Sequence, residues 1–279
     1  MQPGQPSLTA LGAARLRAAH QVLDNASILA DPLAARILGT DIEVSLEHAQ
    51  AHPSGPRMRW FIAARSRLAE EALISAVDAG VTQLVVLGAG LDTLAYRTPL
   101  AGALRIFEVD HPATQARKRQ MLAAAAIAVP PTLSFVAIDF ERQTLAETLE
   151  SAGFAAAGRS FFSWLGVVPY LTEQAVFSTL GHIAQLEGGA EVVFDYVNPA
   201  GSIAPAGRAA HQALAERVAC LGERIQSYFD TEQLCSKLSA TGFRHVNDIG
   251  PAELATRFFP EAERSAPARG GHVMHASTI

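Results

Sequence analysis

QLVVLGAGLDTLAYRTPLAGALRIFEVDHP, residues 83–112, carries the pattern that sets the fold. It runs as apolar strand, glycine turn, helix start, second apolar strand and terminal acid. Residues 83–87 are a short, largely apolar run with two valines, as expected for a strand buried on both faces of a parallel sheet. Gly88-Ala89-Gly90 follows at once, where glycine lets the backbone turn tightly and lets a ligand approach the main chain. The second run, residues 104–109, ends on Asp110, 20 residues after Gly90. A carboxylate there can accept hydrogen bonds from a ribose diol. The stretch therefore predicts one nucleoside-binding half of a doubly wound sheet.

Outward from it the alternation continues. Residues 132–137, 160–164 and 191–196 read as three further strands, separated by helical segments at 144–152 and 172–186. Strand and helix in alternation predict an α/β fold with a doubly wound, mostly parallel sheet. Residues 243–248 and 271–278 add two strands for seven in all, the last expected as an antiparallel edge element. On the amino-terminal side, SLTALGAARLRAAHQVL has helical spacing with Ser7 or Thr9 as cap. Asp31-Pro32 is expected to open a short second helix, DPLAARIL. Residues 1–55 thus read as a helical cover and 56–279 as the main domain. Within that domain, residues 197–229 are expected to form a lid insertion after the fifth strand.

Composition narrows the function. The chain has 279 residues, 49% of them hydrophobic and 18% charged, with a net charge of −5. That balance argues against nucleic acid as a partner. Lys118 and Lys237 are the only lysines, and Cys220 and Cys235 are too few for a disulfide framework. No His/Cys/Asp grouping has metal-ligand spacing, so no metal is expected. With no apolar run of membrane-spanning length and no leader pattern, the expectation is a cytoplasmic protein that does not engage a membrane.

NAD, FAD and S-adenosylmethionine all suit a strand–glycine turn–strand–acid unit. Three features favour S-adenosylmethionine. Thr93 stands where a dinucleotide fingerprint has its third small residue. Asp139-Phe140 ends the third strand, offering a carboxylate and a main-chain N–H to an adenine edge. No tyrosine has lysine four positions on, so the common short-chain reductase pair is missing. His20, His111 and Asp92 have ready structural uses, the last as a cap for the helix after the glycine turn.

The segments SLTALGAARLRAAH, DPLAARIL, VVLGAGLDTLAYR, FEVDHPATQARK, AIDFE and FFSWLGVVPYLTEQAV, with Arg65, carry a family resemblance over residues 7–180. The chain resembles the leucine carboxyl methyltransferase-like branch of class I S-adenosylmethionine-dependent methyltransferases, including bacterial polyketide O-methyltransferase-like members. The resemblance implies a Rossmann-like seven-stranded fold and S-adenosyl-L-methionine as cofactor. It implies that Arg65 pairs with the methionine carboxylate and that Gly88, Ala89 and Gly90 pass close to the cofactor. Asp110 would hold the ribose, with Glu108 its competitor, and Asp139 and Phe140 would hold adenine. Trp164 would belong to the cofactor wall and Tyr170 to the catalytic cleft. The eukaryotic enzymes carry Glu where this chain has Leu165, which points away from their phosphatase substrate.

The resulting expectation is methyl transfer to an oxygen, a carboxylate or acidic hydroxyl, of a small or medium organic acceptor. An NAD(P)-dependent oxidoreductase and a non-catalytic cofactor-binding module are the alternatives. Residues 161, 162, 164, 167, 168 and 170 are apolar or aromatic, and no base is visibly well placed. A helical cover and insertion flanking the carboxyl ends of the strands would close over the acceptor.

Overall fold

The computed structural model describes residues 7–52, 54–138, 143–202, 205–220, 222–264 and 271–279. The seven strands are β1 (Gln83–Leu87), β2 (Arg105–Asp110), β3 (Leu133–Ala137), β4 (Ser160–Trp164), β5 (Ala190–Tyr196), β6 (His245–Ile249) and β7 (His272–Ser277). The helices before the sheet are α1 (Leu8–Leu23), α2 (Ile42–Gln50) and α3 (Pro56–Asp78). Between strands lie α4 (Leu94–Arg97), α5 (Pro112–Ala124), α6 (Leu145–Ser151) and α7 (Glu173–Ala184). The carboxyl-terminal part adds α8 (Pro205–Cys220), α9 (Thr231–Thr241), α10 (Pro251–Phe258) and α11 (Glu261–Arg264).

Strand order is β3-β2-β1-β4-β5-β7-β6. The first five pair in parallel, and β7 runs antiparallel to both β5 and β6. The doubly wound reading holds, with one correction: β7 is not an edge element. It inserts between β5 and β6 and leaves β6 at the edge, so its Val273, Met274 and Ala276 are buried.

Period-2 geometry explains why the central strands carry apolar residues at both parities. Leu84, Val86, Ile106, Phe161 and Val193 point to one face and pack with α3 residues Leu68, Leu73 and Ala76. Val85, Leu87, Phe107, Phe162, Trp164 and Phe194 point to the other, with Leu149, Val176, Leu180 and Leu238 of α6, α7 and α9.

The amino-terminal region departs from the sequence reading in two places. DPLAARIL is not a regular helix: it is a turn ending in a 3-10 segment, Arg36–Leu38, stopped by Gly39 at φ 61°. Asp31 there is turned inward. It takes a hydrogen bond from Thr93 Oγ1 at 2.6 Å and pairs with Arg17 at 2.8 Å, so its capping is confined to Leu33 N–H. The helix α2 was not legible at all. Ser7 does cap α1, its Oγ accepting from Ala10 N–H.

Asp24, just past α1, ties that helix to α3. Its carboxylate accepts from Arg59 Nε at 2.6 Å and Nη2 at 2.9 Å, and from Trp60 Nε1 at 2.9 Å. His20 Nε2 accepts two backbone N–H groups, so its proton sits on Nδ1 and is donated to Asp24. Burial alone would raise the Asp24 pKa, but the bonds from Arg59, His20 and Trp60 prevail and hold it well below the usual carboxylate range. A depressed folded-state pKa stabilises above the unfolded value, near 3.8, and the contribution is lost as pH falls below it. Asp24→Asn should therefore lower unfolding free energy by about 1.5–3 kcal/mol at pH 6. The gap from native should narrow at pH 3 in parallel urea titrations. An equal gap at both values would remove Asp24 from this role.

Candidate functional site

One cleft lies over the carboxyl ends of β1, β2, β4 and β5, where open α/β sheets bind ligands. Its volume is about 930 Å³, near the upper end of the roughly 300–1,000 Å³ typical of small-molecule sites. Its floor is the glycine turn. Gly88 has φ 64°, and a Cβ there would stand 2.3 Å from Val167 Cγ2. Gly90 has φ 45°, and its Cβ would meet Ala10 of α1 at 3.1 Å. The turn is thus pressed from both sides, by the segment after β4 and by α1, and positive φ fits glycine there. Gly88, Ala89 and Gly90 all line the cleft.

Asp110 stands at the end of β2 on the cleft wall. One carboxylate oxygen accepts from Gly90 N–H and the other from His111 N–H at 2.7 Å. Burial pushes its pKa up, against the pull of those two amides. Glu108, the sequence competitor, is elsewhere. Only 1% exposed, it pairs with Lys118 Nζ at 2.7 Å and accepts from Tyr96 Oη at 2.8 Å behind the turn. Of the two acids, Asp110 alone faces the cleft.

Arg65, on α3, reaches the cleft beside β5. Its Nη1 meets Asp195 Oδ2 at 2.7 Å, its guanidinium lies 5.7 Å from the Phe61 ring centroid, and its buried Nε has no protein partner. The second Asp195 oxygen accepts from Gly166 N–H. A Cβ on Gly166, at φ 73°, would stand 2.8 Å from Arg65 Nη2, so glycine leaves room for the guanidinium. Asp195 was missed in the sequence, although its place at the end of β5 parallels that of Asp110 on β2.

Tyr170, in a 3-10 turn after β4, also lines the cleft. Burial first, then the Glu223 charge, pushes its phenol up to about 12. It is a hydroxyl donor at neutral pH, not a base. Glu223, also unforeseen, closes the cleft from the far end of the chain. Its carboxylate accepts from Leu8 N–H at 3.1 Å and from Thr9 Oγ1, joining the segment after α8 to the start of α1.

Two expected histidines separate. His20 is fully buried with both ring nitrogens in use away from the cleft, whereas His111 lines it and accepts from Ala113 N–H through Nδ1. Asp92 caps the turn into α4, accepting from Leu94 N–H at 2.6 Å.

The Trp164 expectation needs correction: its ring is not part of the cleft wall. Trp164 shares its face with Phe162, two positions back, and is fully buried against Phe194 in the core. Ser163 and Leu165, on the other parity, line the cleft instead. Asp139 and Phe140 lie outside the described residues; Ile138, just before them, lines the cleft. Among the described residues no His/Cys/Asp/Glu cluster could hold a metal, and no helix is long and apolar enough to cross a membrane.

A site with a cation at one end, glycine amides in the middle and a carboxylate at the other suits a zwitterionic ligand bearing a diol. Residues 10–184 match the family model for leucine carboxyl methyltransferase. The chain is 30% identical to "Putative S-adenosyl-L-methionine-dependent methyltransferase YktD" of Bacillus subtilis, with 99% of each chain covered. It is 33% identical to a Mycobacterium avium protein of the same description, covering 97% of this chain and 95% of that one. A solved structure of a possible exported protein from Bordetella parapertussis superposes with a TM-score of 0.52 at 12% identity, covering 99% of both chains. That likeness concerns the fold.

Proposed function

The chain belongs to the leucine carboxyl methyltransferase family, and from that premise we propose that it transfers a methyl group from S-adenosylmethionine to an oxygen of a small or medium organic acid. The observation that carries the reading is the placement of Arg65 and Asp110 in one cleft, with the glycine turn among its walls. S-adenosylmethionine supplies an electrophilic methyl: its C–S bond breaks as the acceptor oxygen bonds the carbon, and the electron pair stays on sulfur.

The chain's own work is binding and alignment. Arg65 offers the cofactor carboxylate a planar donor fork, and its unpartnered Nε shows capacity not used within the protein. Asp110 accepts from the ribose hydroxyls while two backbone amides hold its orientation. Phe61, Leu165, Val167 and Tyr170 provide an apolar wall. Because a carboxylate acceptor and the sulfonium neutralise each other along the reaction, a dry wall favours the step. The neutral Tyr170 hydroxyl can donate to the acceptor. A carboxylate, with pKa near 4, needs no base at neutral pH.

The test of the cofactor site is calorimetry with S-adenosylhomocysteine. Asp110→Ala should weaken binding by about 1.5–3 kcal/mol, the scale of charge-assisted hydrogen bonds. Unchanged affinity would remove Asp110 from the site. The acceptor chemistry is tested by the pH dependence of methyl transfer to a panel of organic acids. The rate is expected to change little from about pH 6 to 8, above a carboxyl pKa. A tenfold rise per pH unit would mean that a proton leaves first, and the carboxylate reading of the acceptor would fail.

A further inference from the structure

The positive charge on the cleft wall is unevenly answered. Arg17 pairs with Asp31, Arg57 with Glu263 and Arg65 with Asp195. Arg15 of α1 and Arg217 of α8 line the same cleft, and among the described residues neither meets a carboxylate. Two histidines on the same cleft feel their charge, His48 that of both and His52 that of Arg217. His48, on α2, has its Nε2 against Gly12 of α1, at 3.5 Å from where a Cβ would be. His52, just after α2, is 8% exposed and lies 6.4 Å from His48, ring centroid to centroid. Both line the cleft.

The His52 tautomer follows from its contacts. Nδ1 accepts from Ser54 N–H at 3.2 Å, so the neutral ring carries its proton on Nε2 and is a donor there. Burial, then Arg217 and Arg15, push His48 down; burial, then Arg217 and His48, push His52 down to about 4. At neutral pH the corner therefore holds two guanidinium charges and two uncharged imidazoles. Glu223, an acid on the same cleft, is already occupied by Leu8 N–H and Thr9. Partly buried cations without a carboxylate partner, beside imidazole donors, are a binding surface for an anion.

We propose that Arg15, His48, His52 and Arg217 form a second anion site in this cleft, which holds a compact oxyanion of the acceptor distinct from the oxygen that is methylated. The proposal rests on the methyltransferase reading for the identity of that anion as part of an acceptor. It assigns the substrate class as diacids, or acids bearing a sulfate or phosphate. Arg65 is not available for this end, since Asp195 holds it and the cofactor carboxylate is its partner under that reading.

The experiment is an NMR titration of the imidazole protons of His48 and His52 in the full chain saturated with S-adenosylhomocysteine. Sulfate is the probe, because it stays dianionic across the whole range. Both histidine pKa values should rise saturably with sulfate, His52 from about 4. In Arg217→Ala the sulfate affinity should drop at least tenfold while S-adenosylhomocysteine affinity stays as in the native protein. Arg217→Lys should recover part of the sulfate affinity. In turnover, Arg217→Ala should raise KM for a dicarboxylic acceptor at least tenfold, with kcat and the KM of a monocarboxylic acceptor little changed. Histidines that ignore sulfate in the native protein, or respond equally in Arg217→Ala, would overturn the site. Should S-adenosylhomocysteine itself not bind, the cofactor reading fails. The sulfate titration, run without it, still decides the anion site.

Discussion

Replacing Lys118 with alanine is expected to cost roughly 3–5 kcal/mol of folding stability, the scale for removing one partner of a buried ion pair. Lys118 is one of two lysines in the chain and is 1% exposed, a rare position for an ammonium group. Three groups compensate it: Glu108 Oε1 at 2.7 Å, the Ala89 carbonyl at 3.4 Å and the Tyr96 ring, whose centroid is 5.2 Å from Nζ. Without the lysine, Glu108 keeps only the Tyr96 hydroxyl and the Gln115-bonded strand around it. Burial already pushes the Glu108 carboxyl up, and the lost cation would push it further. Urea unfolding of Lys118→Ala measures the cost. The double variant Lys118→Met with Glu108→Leu should recover much of it, because a charge no longer stands unpaired. A loss under about 1 kcal/mol in the single variant would mean that water replaces the ammonium and that the pair is not dry. Because Lys118 also bonds the Ala89 carbonyl, its loss should loosen the glycine turn and weaken S-adenosylhomocysteine binding, although Lys118 does not line the cleft.

The Lys118–Glu108 pair also shows what a sequence can and cannot reveal. The strands β1, β2 and β4 were legible because each carries apolar residues at both parities, a local property. Glu108 and Asp110 share one parity, so parity does not separate them: Asp110 stands at the carboxyl end of β2 on the cleft, whereas Glu108, two residues back, meets Lys118 of α5, and composition does not state that. For Trp164 parity does decide: aromatic and at a strand end, it shares its parity with Phe162 and so belongs to the core. The insertion of β7 beside β5 was hidden because strand order in an antiparallel addition is set by pairing, here Asp195 opposite Val273, and not by order in the chain. The contacts that finish the cleft join residues far apart: Arg65 with Asp195 across 130 positions and Leu8 with Glu223 across 215. No spacing rule reaches that far. The acids at the carboxyl ends of strands were the available signal, and Asp195 carries it as plainly as Asp110 does.

Arg65 carries the second large effect. Arg65→Lys should weaken S-adenosylhomocysteine about 10–100-fold, since a point charge cannot hold Asp195 and a cofactor carboxylate with the geometry of a planar fork. Folding should suffer little, because the lysine ammonium can still meet Asp195, whose other oxygen stays bonded to Gly166 N–H. Asp195→Ala should do the reverse. It leaves the Arg65 guanidinium, with its side chain only 12% exposed, without its carboxylate, at a cost of about 3–5 kcal/mol in stability. It also frees the Gly166 amide, so the turn after β4 loses its anchor. The two variants thus separate two roles that one contact combines, a structural tie between α3 and β5 and a hand extended to the ligand. Calorimetry with S-adenosylhomocysteine and urea unfolding on both proteins read them independently. If Arg65→Lys binds the ligand as tightly as the native chain, the guanidinium serves only Asp195. The cation that the cofactor carboxylate needs must then be sought elsewhere on the wall, first at Arg224, which stands exposed at the cleft beside Glu223.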